Sequence, residues 1–104
     1  MTTEVVTQRC VPGKTKQGVK WASKIVAYYK KAGSAKILVL QPTTGQVISE
    51  FVLIAHWPSL ADLEKEFKRR ATDPGWIAIM NEMLESDWHL SATRNLYEIA
   101  DSTH

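Results

Sequence analysis

The chain has 104 residues, of which 44% are hydrophobic and 23% charged, with a formal net charge of +2. This composition excludes a disordered chain, and the length predicts a single domain over residues 1–104. The longest apolar runs, residues 37–40 and 51–55, are too short to cross a bilayer. No signal-peptide pattern opens the chain, and Cys10 is its single cysteine, which precludes an internal disulfide. We therefore expect a cytoplasmic protein that does not enter a membrane.

The charge is distributed unevenly along the chain. Residues 1–36 carry eight Lys or Arg against one acid, a balance of +7, and the remainder carries five against ten, a balance of −5. Lys16, Lys20 and Lys24 recur every four residues and predict one cationic helix face, which would suit an anion or a nucleic acid. No RNP-like, helix-turn-helix or zinc-finger pattern accompanies it, so we favour a solvated face and expect no nucleic-acid partner.

The first half of the chain predicts a strand, a helix and a second strand. Residues 4–11 alternate loosely and form the strand, which Pro12 and Gly13 end. Residues 14–32 have helical spacing. The apolar side of this helix comprises Val19, Ala22, Val26 and Tyr29, with Trp21, Ile25 and Tyr28 beside them. Residues 35–40 are a short apolar strand, and residues 42–45 predict a hairpin turn.

Residues 45–71 are the stretch around which the fold is organised. Val47, Ile48 and residues 51–54 put apolar side chains on both faces and predict a strand that is covered on both sides. Ser59 is a helix-capping residue, and the helix after it carries an apolar stripe of Leu60, Leu63, Phe67 and Ala71. Asp73 and Pro74 start a third helix.

The third helix and a last strand complete the pattern. The buried stripe predicted for the helix is Trp76, Ile77, Met80, Met83 and Leu84. Residues 88–100 are extended, with Leu96 on one face and Tyr97 and Ile99 on the other. The order β-α-β-β-α(α)-β predicts an α+β, ferredoxin-like fold with a four-stranded antiparallel sheet and helices on one face. Because strands two and three are apolar on both faces, we expect a second copy to cover the other face in a homodimer.

Four segments give the chain a resemblance to a known superfamily. They are residues 11–14, 42–46, 56–63 and 73–76, reading VPGK, PTTGQ, HWPSLADL and DPGW. With these segments the chain resembles the dimeric α/β-barrel superfamily, which includes antibiotic-biosynthesis-monooxygenase-like, NIPSNAP-like and stress-responsive barrel proteins. The resemblance implies two sheets closing one barrel, with a pocket in each subunit between sheet and helices.

The activities in that superfamily include cofactor-free oxygenation of polycyclic phenols and haem degradation, and several members have no known reaction. The haem degraders resemble one another in an Asn on the first strand. Here the first strand has Gln8 and Arg9, and the only asparagines are Asn81 and Asn95. We therefore expect no haem and no other cofactor.

His56 and Arg94 are the candidate catalytic residues. An imidazole at the end of the organising strand is suited to proton transfer near neutral pH, and Arg94 or Arg9 would stabilise a phenolate anion. The alternative is that Trp57 plugs the barrel edge while His56 satisfies a backbone group. The scattered His56, His89 and His104 do not predict a metal site, and Cys10 is expected to be a small core residue.

The aromatic side chains predict a pocket for a small aromatic ligand. Its expected lining is Trp21, Tyr28, Trp57, Trp76, Trp88 and Tyr97, although core or dimer packing would also account for each of them. Two functions remain open: a cofactor-independent monooxygenase-like enzyme acting on a small aromatic molecule, and a non-catalytic module that binds a small molecule or a protein.

Overall fold

The computed structural model describes residues 1–32, 36–42 and 49–98. The elements follow the order β1 (Thr2–Cys10), α1 (Thr15–Ala32), β2 (Lys36–Leu40), β3 (Glu50–Trp57), α2 (Leu60–Ala71), α3 (Pro74–Glu85) and β4 (His89–Glu98). The predicted order is therefore confirmed. Most of the predicted turn at residues 42–45, the start of the third strand at 47–48, and Ile99 lie outside the described residues.

The strands form one antiparallel sheet in the order β2-β3-β1-β4, which confirms the ferredoxin-like α+β fold. The central strands β1 and β3 pair Val5 with Ile54, and Ile54 in turn faces Leu38 on β2. Gly13 makes the turn from β1 into α1 with φ +85°, a conformation that is unstrained only in glycine.

Alternation along the strands decides which residues meet the helices. Phe51, Leu53, Ala55 and Trp57 of β3 are buried, as are Thr2, Glu4, Gln8 and Cys10 of β1. Successive strand residues point to opposite faces, so β1 sends its even-numbered side chains, several of them polar, into the core. Helix α1 covers them with buried Trp21, Ala22, Ile25 and Tyr29, while Lys16, Lys20 and Lys24 are exposed on its other side as predicted.

In both short helices, α2 and α3, the residues that face the core differ in part from the apolar stripes predicted from the sequence. In α2, Leu60 and Ala71 are exposed, and the residues buried are Leu63, Glu66 and Arg70. In α3, Ile77 and Leu84 are exposed, and Ile79 packs against the core in their place. The predicted α3 stripe was wrong at these two residues because Trp76, Ile79, Met80 and Met83 already fill the narrow inward face with i, i+3, i+4 and i+7 spacing.

The local signals for the starts of these helices are confirmed. The Oγ of Ser59 accepts a hydrogen bond from the backbone N–H of Asp62 at 3.2 Å. Asp73 caps α3 by accepting from the N–H of Gly75 at 3.0 Å, with Pro74 in the first turn. Both caps satisfy N–H groups that the first turn of a helix leaves without partners.

The face of the sheet opposite the helices is apolar at its centre. Val5, Ile54 and Val52 are half-buried there, and Leu38 and Leu40 of the edge strand are 45% and 47% exposed. We call these five residues the open-face patch. Among the described residues, no helix is long and apolar enough to span a membrane.

Candidate ligand site

A cavity of about 140 Å³ lies between the sheet and the helices. Most of its wall is apolar, with Val6 and Leu53 from the sheet and Ile25, Met80 and Met83 from the helices. An apolar cavity of about 150 Å³ accepts a molecule the size of benzene. This cavity therefore has room for one six-membered ring.

A charged cluster interrupts the apolar wall at Glu4. One oxygen of this buried carboxylate accepts from the indole N–H of Trp57 at 3.2 Å. The other accepts from Arg94 Nε at 2.9 Å and from Arg70 Nη2 at 3.4 Å. Because one carboxylate faces two guanidinium groups, this part of the wall carries a net positive charge.

The two arginines of the cluster differ in how firmly they are held. Arg70 is buried, donates to the hydroxyl of Tyr29 at 2.7 Å and lies over the rings of Phe67 and Trp76 at 4.7 and 4.4 Å. The side chain of Arg70 is thus held by hydrogen bonds from Nη1 and Nη2 and by cation–π contacts with two rings.

The Arg94 side chain is 48% exposed and contacts the ring of Phe67 at 4.9 Å. Within the described part of the chain only its Nε is hydrogen-bonded, so the N–H groups of Nη1 and Nη2 are available. The neighbouring lining residue Ala92 is also exposed, which places the mouth of the cavity along β4.

Tyr29 joins the cluster to a second carboxylate, Glu66. Burial raises the pKa of Tyr29, and Arg70 offsets only part of that effect, so the phenol stays protonated at neutral pH. Burial also tends to raise the pKa of Glu66, but hydrogen bonds from Arg69 and Tyr29 outweigh it and lower the pKa below its ordinary value. The two buried carboxylates beside Tyr29 and Arg70 are therefore both held by donors.

Three of the residues predicted for the site meet at the cavity. Arg94, Trp21 and Trp76 line it. Trp57 lies behind the wall and donates to Glu4, while Tyr28 packs against Trp76, with 5.5 Å between ring centroids. The arginine and most of the aromatic set thus surround one space.

The remaining predicted residues lie elsewhere. Trp88 packs against Trp21 at a centroid distance of 5.3 Å and extends the core away from the cavity. Tyr97 is 54% exposed on the open face of the sheet. His56 is exposed on that same face, with its Nδ1 3.1 Å from the hydroxyl of Thr3. Since Trp57 points to the helices, strand alternation directs its neighbour His56 away from them, so His56 does not line the cavity.

The polar residues that complete the site were not singled out from the sequence. Glu4 and Gln8 share even-numbered positions with buried Cys10, and this parity along β1 was the available signal. Arg70 gave no comparable signal, since a charged residue near the end of a polar helix is usually solvated.

Neither the cysteine nor a metal site within the described part of the chain adds to the chemistry of the cavity. Burial raises the pKa of the Cys10 thiol, which favours its neutral form. No cluster of three or more potential metal ligands occurs among the described residues.

The architecture and the cavity define a class: ferredoxin-like α+β proteins that enclose a ligand-sized space between a four-stranded sheet and its helices. Within that class the relationship is specific. Residues 3–98 match the family model of NIPSNAP, and the chain belongs to the NIPSNAP family.

Solved structures agree with this assignment at the level of the fold. A NIPSNAP family protein from Agrobacterium tumefaciens, described as having unknown function, is 22% identical, with 96% of this chain and 94% of that one covered at a TM-score of 0.77. An uncharacterised NIPSNAP domain protein from Burkholderia xenovorans is 17% identical, with 96% and 95% covered at a TM-score of 0.78.

A third similar structure comes from Deinococcus radiodurans, a protein assigned only provisionally as an antibiotic biosynthesis monooxygenase. It is 12% identical, with 100% of this chain and 97% of that one covered at a TM-score of 0.75. Identities this low establish a shared fold and no shared activity. No curated protein shows a significant sequence match to this chain.

Proposed function

We propose that this protein binds one small, largely apolar ring compound with an anionic oxygen, either a carboxylate or a phenolate. The observation that carries the proposal is Arg94, whose available guanidinium N–H groups stand at the mouth of an otherwise apolar and aromatic cavity. The ring would enter the apolar interior, and its anionic oxygen would stay beside the guanidinium.

The local charge supports an anion over a cation or a neutral molecule. Glu4 balances only one of the two guanidinium groups, and Arg70 is held in place by Tyr29 and two aromatic rings. The two guanidinium groups share this carboxylate, so one positive charge is left over, and Arg94 is the arginine of the two whose exposed N–H groups can meet a ligand. A hydrogen bond between an arginine and an oxyanion is about twice as strong as a neutral one, and partial burial strengthens it further.

Binding of benzoate tests this proposal, with benzamide as the neutral ligand of similar shape and Trp21 and Trp76 as fluorescent reporters in the wall. Arg94→Gln is expected to weaken benzoate binding about tenfold or more, since a charge-assisted hydrogen bond contributes roughly 1.5–3 kcal/mol. Benzamide binding should change little. Arg9→Gln is the matched control because Arg9 is exposed on β1 at an odd-numbered position, on the other face of the sheet. Equal loss of benzoate affinity in both variants would contradict the proposal.

Cofactor-independent oxygenation of a bound phenol is the second candidate function, and Arg94 is the observation that favours it. A guanidinium at the mouth would stabilise the phenolate, which can reduce O₂ without a cofactor: the ring gains one oxygen atom and becomes a quinone, and the other oxygen atom leaves as water. Among the residues that the structure describes, Glu4 is the only carboxylate in the cavity wall, and donors hold both its oxygens. Binding alone is therefore better supported than catalysis.

The two functions differ in what a bound phenol does in air. Oxygenation predicts that O₂ is consumed and that a quinone absorbance appears, with a rate that falls sharply in Arg94→Gln. His56 lies on the opposite face of the sheet, so His56→Ala should leave this rate unchanged. If every phenol that binds does so without consumption of O₂, oxygenation is refuted and the non-catalytic binding function is supported. Loss of turnover only in His56→Ala would assign the proton transfer to the other face.

We also propose that two copies pair through the open-face patch of Val5, Leu38, Leu40, Val52 and Ile54. Ile54 lies at its centre, between Val5 and Leu38 across three strands. A continuous apolar patch on a sheet is stabilised when a second sheet covers it, and a two-fold axis brings the same patch from both copies together.

Native mass spectrometry tests the dimer. Wild-type protein should be dimeric, and Ile54→Lys should be monomeric because a buried lysine would have no partner. Leu84→Lys is the matched control, since Leu84 is 67% exposed on α3 and lies away from the patch. A wild-type monomer, or a dimer that survives Ile54→Lys, would refute this interface.

A further inference from the structure

Gln8 has a buried oxygen without a hydrogen-bond partner. The residue is only 4% exposed, faces the helices from β1 and lines the cavity. Its Nε2 donates to the Met83 sulfur at 3.4 Å, but its Oε1 has no partner among the described residues. Buried polar atoms are nearly always paired, so an unpaired acceptor in a cavity wall indicates a group that a ligand supplies.

The orientation of the amide follows from its neighbour. A thioether sulfur is a weak acceptor and has no hydrogen to donate. The NH₂ group must therefore face Met83, since the reverse orientation would place two acceptors against each other. The atom left for a ligand is accordingly the oxygen, which requires a donor.

The sheet places this acceptor one diagonal step from Arg94. In the β1–β4 ladder Gln8 pairs with Ala92 and Val6 pairs with Arg94, and these residues share the cavity side. The Cβ atoms of diagonal neighbours in antiparallel strands lie roughly 7 Å apart. A single ring with two substituents spans that separation, and one ring is what a cavity of about 140 Å³ accommodates.

We infer that Gln8 is a specificity-determining residue, which selects ring acids that carry a second, hydrogen-bond-donating substituent away from the anionic oxygen. The substituent is a hydroxyl or an amino group that donates to Oε1, while Arg94 holds the anion. This inference rests on the proposed anion binding and adds the donor. A ligand without the donor leaves Oε1 unpaired in the complex, and a ligand with it gains a hydrogen bond for which none of the described protein groups competes.

The test compares 3- and 4-hydroxybenzoate with benzoate by isothermal titration calorimetry. Wild-type protein should bind at least one hydroxybenzoate about tenfold more tightly than benzoate. Gln8→Leu keeps the approximate size of the side chain and removes both polar atoms. In this variant hydroxybenzoate and benzoate should bind with about equal affinity, and benzoate binding should be retained. Gln17→Leu, at an exposed position of α1, should keep the wild-type preference.

Each outcome decides the inference. Equal affinity of wild-type protein for benzoate and both hydroxybenzoates would overturn it and leave anion binding at Arg94 standing. A preference that persists in Gln8→Leu would overturn the role of Gln8. If wild-type protein binds none of these acids, the inference and the proposed function fall together. Gln8→Met replaces the leucine variant if that variant does not fold, and the wild-type comparison needs no variant.

Discussion

The pairing of Glu4 with Arg70 should show strong thermodynamic coupling. Their side chains are 6% and 7% exposed, and the cation–anion contact is 3.4 Å long. Replacing Glu4 by Leu leaves a buried guanidinium without its carboxylate, a change that typically costs about 3–5 kcal/mol. Arg70 keeps the Tyr29 hydroxyl and two ring contacts, so we expect the low end, about 3 kcal/mol.

Removing both charges should add little to the loss caused by Glu4→Leu alone. Arg70→Met alone leaves Glu4 paired with Arg94 at 2.9 Å and should cost less, about 2 kcal/mol. The double variant buries two apolar side chains of similar size, so its loss should not exceed that of Glu4→Leu. The coupling free energy is then about 2 kcal/mol, within the range for residues of one network.

Urea unfolding at constant protomer concentration measures the cycle, and thermal melts should show about 4–8 °C per kcal/mol for a domain of this size. The control cycle is the surface pair Lys14–Asp87, with a 2.5 Å contact and an acid that is 76% exposed, which should show no measurable coupling. Additive losses in the Glu4–Arg70 cycle, near 5 kcal/mol for the double variant, would refute the reasoning.

Three further predictions concern packing, capping and pH. Gly18→Ala should destabilise the protein by about 1–2 kcal/mol in urea, since overpacking outweighs the gain in helix propensity. A Cβ there would lie 2.6 Å from the ring of Phe51, whereas at Gly75, the control, the nearest atom is 3.5 Å away. Ser59→Ala should lose about 1 kcal/mol with the cap, measured in the same way. Burial raises the pKa of Tyr29 above its ordinary value of 10.0. Melting temperatures should therefore fall above about pH 10, more steeply in wild-type protein than in Tyr29→Phe.

Different results would contradict each of these. A stabilised Gly18→Ala variant would show that the Phe51 ring yields to the new methyl group. An unchanged free energy of unfolding in Ser59→Ala would show that tertiary contacts, and not the Ser59 cap, determine where α2 starts. Parallel pH profiles for wild-type protein and Tyr29→Phe would mean that the folded state does not retain the phenolic proton, because linkage requires the unfolded chain to release it first.

The candidate site was predictable only in part from the sequence. Arg94, Trp21 and Trp76 belonged to the predicted set and lie together in the cavity wall. His56 was selected for its chemistry and its place at a strand end, but the parity of β3 directs it to the open face. Glu4 carried no chemical signal in the sequence, because its role depends on partners that approach from two other elements.

The sequence by itself determined the order of the elements and the starts of α2 and α3. These features depend on interactions within a few residues: the hydroxyl of Ser59 reaches a backbone N–H three residues on, and Asp73 reaches one two residues on. Helical and strand spacing are local in the same sense, which is why the β-α-β-β-α(α)-β order could be read directly.

Only the tertiary structure decided the charged cluster and the inward faces of the short helices. Glu4 meets Arg70 and Arg94 across 66 and 90 positions of the chain. Those contacts exist because β1 pairs with β4 in one register and because α2, packed against the neighbouring strand β3, extends Arg70 to Glu4. A shift of one residue in the register would turn Glu4 to the other face of the sheet. Sequence patterns over a few residues do not specify that strand register, so the charged cluster of the ligand site could be identified only from the tertiary structure.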